Sequence, residues 1–296
     1  MINYTVDNDN DEADLSIPAV RRDIAAQIKA DIDEYCAKHY NDGHRTHLGA
    51  SLIGHECDRY LWGVFRWLKL DQPGGRMQRL WNRGHREEPK FIEHYRGIGC
   101  EVWELAENDK QFRISNIESH FGGSLDGKIK LAPKYRVKQT LLSEFKTQAT
   151  GSNFTKLQEK GVKFCKPLHF DQMSCYGKEY GFKYALYTCV NKNDDDLHVE
   201  IVELDWSRYD VLMLKAFDII SSQVAPQKIA DSPAYMACKY CHLQGICHEG
   251  HSPEKNCRSC KYASPIENAD WFCNGYKNVI PSDFIPKGCD RWEAIV

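Results

Sequence analysis

Asp126, Glu144 and Lys146 stand in two short apolar runs, GGSLDGKIKL and LLSEFKTQ. Buried strands rarely carry two carboxylates and a lysine at their ends. Glu144 and Lys146 lie two apart, and the two-residue period of a strand puts their side chains on one face. If the two runs pair as neighbours, Asp126 and Glu144 can share a divalent cation with Lys146 beside them. Hard oxygen ligands favour magnesium or manganese. Such a set suits phosphodiester hydrolysis, in which the cation acidifies a water and neutralises phosphate charge while the lysine orients the attacking water. Spacing alone fits a surface ion pair equally well.

Two further pairs bear on the choice. In HFDQMSCYG, Gln172 and Tyr176 are four apart and share a helix face; an amphipathic helix with a half-buried tyrosine has the same spacing. In RGHREEP, His85 and Glu88 stand on a helix and offer another ligand.

The 13 cysteines are unevenly spread, with seven between residues 238 and 289. An odd count and an acidic, polar start (MINYTVDNDNDEADL) argue against a secreted disulfide scaffold, and clustered thiols in a reducing compartment read as metal ligands. Cys238, Cys241 and Cys247 form C-x2-C-x5-C and need a fourth ligand. Cys257, Cys260, Cys273 and Cys289 include a C-x2-C knuckle and suit a closed tetrahedral zinc site, with His248 and His251 as nearby alternatives. Cys36, Cys100, Cys165, Cys175 and Cys189 have no ligand spacing and read as core or surface thiols. Trp271, Phe272, Tyr276 and Trp292 would pack around the second metal or stack on bases.

The elements that must hold these residues are legible in outline. Residues 1–13 read as disordered. A helix opens near Ser16 with Pro18 in its first turn, and Val20, Ile24, Ile28 and Ile32 draw an apolar stripe. A second helix is expected within residues 46–70 with Ser51 as N-cap, and a third over 77–99. Four short β-rich runs follow, then a helix at 169–181, a hairpin over 184–204 and a helix from 207. The order implies an α+β domain with a mixed sheet. Beyond about residue 233 the chain is too poor in apolar residues to fold alone, and a metal would supply the missing stability.

A net charge of −3 excludes a bulk polycation, so nucleic-acid binding would need a local basic face. Lys134, Arg136, Lys138, Lys146, Lys156, Lys160, Lys163 and Lys166 supply one, or form a solvated surface. The absence of an apolar run long enough to span a bilayer leads to the expectation of a cytoplasmic protein.

Taken in order, these motifs resemble the RecB-like branch of the PD-(D/E)XK nuclease superfamily. That pattern is a metal-ligand residue four after a helical glycine, then G-x-x-D, (D/E)-x-K and Q-x-x-x-Y. Here it reads Gly84 with Glu88, Gly123 with Asp126, Glu144 with Lys146, and Gln172 with Tyr176. Glutamate rather than histidine after the glycine looks more like the lambda-exonuclease type, which favours Glu88 over His85. In GHECDRYLW, Cys57 is similar to the N-terminal cysteine of the iron–sulfur members, the AddB and CRISPR-associated RecB-like exonucleases.

The resemblance implies a restriction-endonuclease-like core with a central mixed sheet flanked by helices. It implies a [4Fe–4S] cluster on Cys57, Cys238, Cys241 and Cys247 that staples the chain around that core. The expected organisation is 14–250 for the nuclease core and 251–296 for a small zinc-binding module, of a kind similar to appendages on phage-encoded proteins. The implied activity is a magnesium- or manganese-dependent deoxyribonuclease, an exonuclease on DNA ends serving phage recombination, replication or DNA processing. A structure-specific or nicking endonuclease is the near alternative, and a non-catalytic DNA-binding recombination partner the distant one. DNA, a recombination or replication protein and further copies of the chain are the implied partners; no sequence feature fixes the closed ring of lambda-like relatives.

Overall fold

The computed structural model describes residues 13–41, 43–70, 72–149 and 151–296. The stretch read as disordered, save its last residue, lies outside them. The chain divides into two compact units, one comprising residues up to 43 with 72–83, the other 44–71 with 84–296.

In the first unit, helix α1 (Pro18–His39) opens with Pro18 in its first turn, where the missing N–H costs nothing. Its apolar stripe is not a core face. Val20 and Ile24 are half-buried, but Ile28 and Ile32 are 52% and 49% exposed, and Cys36 is the residue the helix buries. Charge ties this unit together, because Asp33 pairs with both Lys29 (3.3 Å) and Arg79 (2.5 Å).

The second unit begins with strand β1 (Leu48–Gly49) and helix α2 (Asp58–Phe65). The N-cap expected at Ser51 therefore falls six residues later. Leu48 and Gly49 are drawn into parallel pairing with Phe121 and Gly122, a long-range contact that local propensity does not register. The N-cap is Cys57, whose Sγ accepts the Tyr60 N–H at 3.4 Å. Helix α3 (Gly75–Gly97), which starts in the first unit, carries Pro89 in its interior.

Strands β2 (Glu101–Trp103), β3 (Arg113–Asn116), β4 (Phe121–Ser124), β5 (Gly127–Lys130) and β6 (Thr140–Gln148) follow, then helices α4 (Gly151–Lys160), α5 (Val162–Cys165) and α6 (Pro167–Tyr180). The hairpin of β7 (Tyr184–Asn191) and β8 (Leu197–Glu203) precedes helix α7 (Trp206–Ser221), capped by the Asp205 carboxylate on Ser207 N (3.1 Å). Short helices α8 (Met236–Lys239) and α9 (Gln244–His248) and strands β9 (Ala263–Pro265), β10 (Trp271–Cys273) and β11 (Asn278–Val279) complete the chain.

The central sheet runs β2-β5-β6-β7-β8, with β6 and β7 parallel and the other neighbours antiparallel, so the expected mixed α+β architecture is present. Alternation along β6 sends Leu141 and Phe145 into one core with Phe91, Ile92 and Tyr95 of α3. Leu142 enters a second core with Met173 and Tyr176 of α6. Glu144 and Lys146 fall in the Leu142 register, so they project on the α6 side.

Residues 251–296 share that second core, and the expected boundary at residue 250 marks no break in packing. Trp271 is 1% exposed, and its ring lies 5.4 Å from that of Phe65 on α2. It is therefore a core residue rather than a stacking platform. Two buried arginines surround it. Arg66 donates to the carbonyls of Ala263 (2.8 Å) and Ser222 (2.9 Å), and its guanidinium lies 5.1 Å from the Trp271 ring. Arg258 donates to Thr46 O (3.0 Å) and lies within 4.8 Å of the Phe65, Trp67 and Trp271 rings. Burial pulls both guanidinium groups down, Arg66 to about 10. Among the described residues no helix is long and apolar enough to cross a membrane.

Candidate active site

Asp126 sits in the link between β4 and β5, where its Oδ2 accepts the backbone N–H of Phe145 at 2.7 Å. That bond pins the carboxylate against β6, between Glu144 and Lys146. The Lys146 ammonium lies 3.9 Å from Asp126 Oδ2 and ion-pairs with Glu144 Oε1. Glu144 is fully buried, and its Oε2 has no hydrogen-bond partner among the described residues.

An unsatisfied buried carboxylate oxygen is costly, and the charged form bears most of that cost. Burial pushes the Glu144 carboxyl up to about 7; Lys146 opposes the shift, and the Asp126 and Glu88 charges add to it. Burial acts to pull the Lys146 ammonium down, but Glu144 and Asp126 outweigh it and hold the group above its ordinary value.

Glu88 of α3 joins this group. Its carboxyl is raised by burial and then by Asp126, and His85 and Lys146 act against the rise. His85 Nδ1 lies 3.5 Å from Glu88 Oε1, so His85 partners the glutamate. Gly84 faces β6, where an added Cβ would stand 3.9 Å from Thr147 Oγ1.

On the other side, Gln172 Nε2 donates to the Tyr176 hydroxyl at 3.3 Å. That hydroxyl lies against Gly123, in the space a Cβ there would fill. Burial, with Glu144 adding, holds the Tyr176 phenol protonated. All five residues singled out as catalytic, with Glu88, thus fall in one electrostatic neighbourhood of acidic oxygens around one ammonium.

One residue of this neighbourhood was not singled out from the sequence. His169, in the first turn of α6, shares a hydrogen bond with the Tyr187 hydroxyl at 2.9 Å through Nδ1. Tyr187 is the β7 partner of Glu144 in register. Burial, then Lys146 and Lys166, push the imidazole down to about 3. Its signal was present, because 169, 172 and 176 follow the three-and-four spacing of one helix stripe.

Both four-cysteine sets converge. Cys57, Cys238, Cys241 and Cys247 line one cavity of 240 Å³. His248, weighed above as an alternative ligand for the second set, lines this first cavity instead, and its Nε2 is buried without a hydrogen-bond partner among the described residues. His251 stands 3.5 Å from Glu249 Oε2. Cys257 lies within electrostatic range of Cys289, Cys260 and Cys273; burial and these neighbours push its thiol up to about 11. The side chains are not drawn into ligating positions, and no group of three or more His, Cys, Asp or Glu among the described residues has the geometry of a formed metal site. Of the unassigned thiols, Cys36, Cys100, Cys175 and Cys189 are buried and Cys165 half-buried.

No family model and no curated protein matches the chain. Among solved structures it is similar to an alkaline exonuclease, LHK-Exo, from Laribacter hongkongensis, at 16% identity and a TM-score of 0.40 over 62% of this chain and 90% of that one. The same enzyme in complex with dAMP gives 16% and 0.41 over 63% and 89%. A protein described as SSO0001 gives 13% and 0.45 over 77% of this chain and all of that one. Likeness this distant leaves the chemistry to the side chains.

Proposed function

We propose that this chain is a divalent-metal-dependent deoxyribonuclease that degrades DNA from its ends. The observation that carries the reading is Glu144, a fully buried carboxylate with an unpartnered oxygen, set against Asp126 and Lys146. Its donor set fits a hard cation, and Glu88, Asp126 and Glu144 would hold magnesium or manganese. The ion, when bound, supplies Lewis-acid polarisation of a phosphodiester and acidification of water. Lys146 then points an ammonium at the attacking water and at the charge developing on the phosphate. Gln172 and Tyr176, hydrogen-bonded to one another and packed on Gly123, would position the DNA backbone or support the site.

The test is cleavage of linear DNA with magnesium or manganese. Lys146→Ala should lower the rate by roughly 10²–10³-fold or more while the chain still folds and keeps its iron. Full activity in that variant overturns the assignment. A covalently closed circle separates the end-directed reading from the endonuclease, because an exonuclease cannot start on it. A protein that binds DNA but cleaves none would be the non-catalytic recombination partner.

The thiol sets belong to the same reading. A cavity of 240 Å³ is several times the ~30 Å³ share of one water, so the Cys57 set has room for a polynuclear group. Four thiolates with that room fit a [4Fe–4S] cluster, and zinc, which would also accept the unpartnered His248 Nε2, is the alternative. The cluster's role would be structural, joining residue 57 to residues 238–247. The Cys257, Cys260, Cys273 and Cys289 set would hold zinc and fasten the final segment to the core. Iron and zinc analysis after anaerobic purification decides, with about four irons and one zinc per chain expected. A colourless protein with two zincs overturns the cluster.

A further inference from the structure

We propose that His169 is a further substrate-contacting residue of this site, with its Nε2 donating a hydrogen bond to a phosphate of the DNA backbone beside Lys146. The inference rests on the nuclease reading above.

Position is the first argument. His169, Gln172 and Tyr176 form one stripe of α6, and a rise of ~1.5 Å per residue sets its two ends roughly 10 Å apart. Tyr176 meets Gly123, three residues before Asp126. His169 lies over Tyr187, with ring centroids 5.9 Å apart, and Tyr187 neighbours Glu144 across the β6–β7 pair. Lys146 acts electrostatically on both His169 and Tyr176. Both ends of the stripe therefore lie within electrostatic reach of the ammonium, and His169, at the less buried end, is the one a strand drawn to Lys146 would meet.

Hydrogen bonding is the second argument. Burial keeps the Tyr187 phenol protonated far above its ordinary range, so its hydroxyl can donate. An imidazole that accepts this proton at Nδ1 carries its own hydrogen on Nε2. Nε2 has no hydrogen-bond partner among the described residues. A nitrogen protonated in this way is no metal ligand, but it is a donor for an anionic oxygen. With Lys146 and Lys166 nearby, the imidazole stays uncharged at working pH and makes this bond without titrating.

The experiment measures kcat and KM on linear duplex DNA with magnesium for wild type, His169→Ala, His169→Gln and Tyr187→Phe, together with thermal melts. His169→Ala should lower kcat by roughly 10²–10³-fold at a temperature where every variant is folded, although orphaning the buried Tyr187 hydroxyl should lower its melting temperature somewhat. His169→Gln offers an amide N–H in the same region and should recover at least tenfold of that loss, while Tyr187→Phe loses less than His169→Ala. Wild type and His169→Gln should share the same limbs in their pH–rate profiles. Three results overturn the inference: wild-type kcat in His169→Ala, a loss that follows the melting temperature in both His169 variants, or a limb near pH 6–7 that only wild type shows. If wild type itself cleaves no DNA with either metal, the nuclease reading fails first, a result distinct from these three.

Discussion

Gly123→Ala tests how tightly the α6 stripe is fitted to the strand that leads into Asp126. A Cβ at this position would run into the Tyr176 hydroxyl and approach its Cε1 and Cζ to 3.1 Å. Tyr176 is 2% exposed and hydrogen-bonded to Gln172, so the ring has little room to retreat. Overpacking of this kind costs about 1–3 kcal/mol. Tyr176→Phe alone forfeits one neutral hydrogen bond, about 1 kcal/mol. Independent effects would sum to about 3 kcal/mol in the double variant. The hydroxyl is the nearest obstacle to the new methyl, however, so removing it should relieve the first substitution. The double variant should cost about 1–2 kcal/mol, a coupling of about 1–2 kcal/mol. Urea unfolding of the four metal-free proteins measures this, provided that the m-values agree. Additivity within ~0.5 kcal/mol would show that the hydroxyl does not rest on Gly123 and would refute the packing argument.

Three further outcomes are expected. Because burial raises the Glu144 carboxyl to about 7, its contribution to stability is complete below the unfolded value of ~4.3 and is lost as pH rises through neutrality. Metal-free wild type should thus fall in melting temperature between pH 5 and 8 more steeply than Glu144→Gln, and magnesium should raise the wild-type value more at pH 8 than at pH 5; equal slopes would refute this. Cys241→Ser should lose bound iron and leave zinc in place, read by elemental analysis, whereas Cys165→Ser should lose neither. Trp271→Ala should cost about 3–5 kcal/mol in urea unfolding, and a cost below ~1 kcal/mol would place the last strands outside the core.

The site was legible where chemistry and local period coincide. Glu144 and Lys146 share a strand face because strands repeat every two residues, and Gln172 and Tyr176 share a helix face because helices return after four. The β5–β6 pairing that brings Asp126 to them is local enough to be read from two adjacent runs. What escaped depended on distant partners. The N-cap of α2 moved from Ser51 to Cys57 because Leu48 and Gly49 pair with a strand some seventy residues on. The stripe on α1 follows helical period, yet Asp33 with Lys29 and Arg79 organises that unit. No hydropathy pattern places Arg66 and Arg258 in a core, since their burial depends on carbonyls and aromatic faces supplied from elsewhere in the chain. His169 had the correct spacing but lacked a partner visible in sequence, because Tyr187 reaches it across a different element.

The shared core of α2 and the final strands also sets an order of events during synthesis. Phe65 and the buried Arg66 leave the ribosome about 200 residues before Trp271 does, which at ~5–20 residues per second is roughly 10–40 s. For that interval the apolar face of α2 has no cover from β10, and a guanidinium destined for the interior remains in water. The candidate site residues from Glu88 to Tyr176 would thus be translated well before the last strands can close the core they share with α2. Nascent chains halted before residue 271 should accordingly be held by chaperones or degraded, and full-length chains should pass from protease-sensitive to resistant in a single late step.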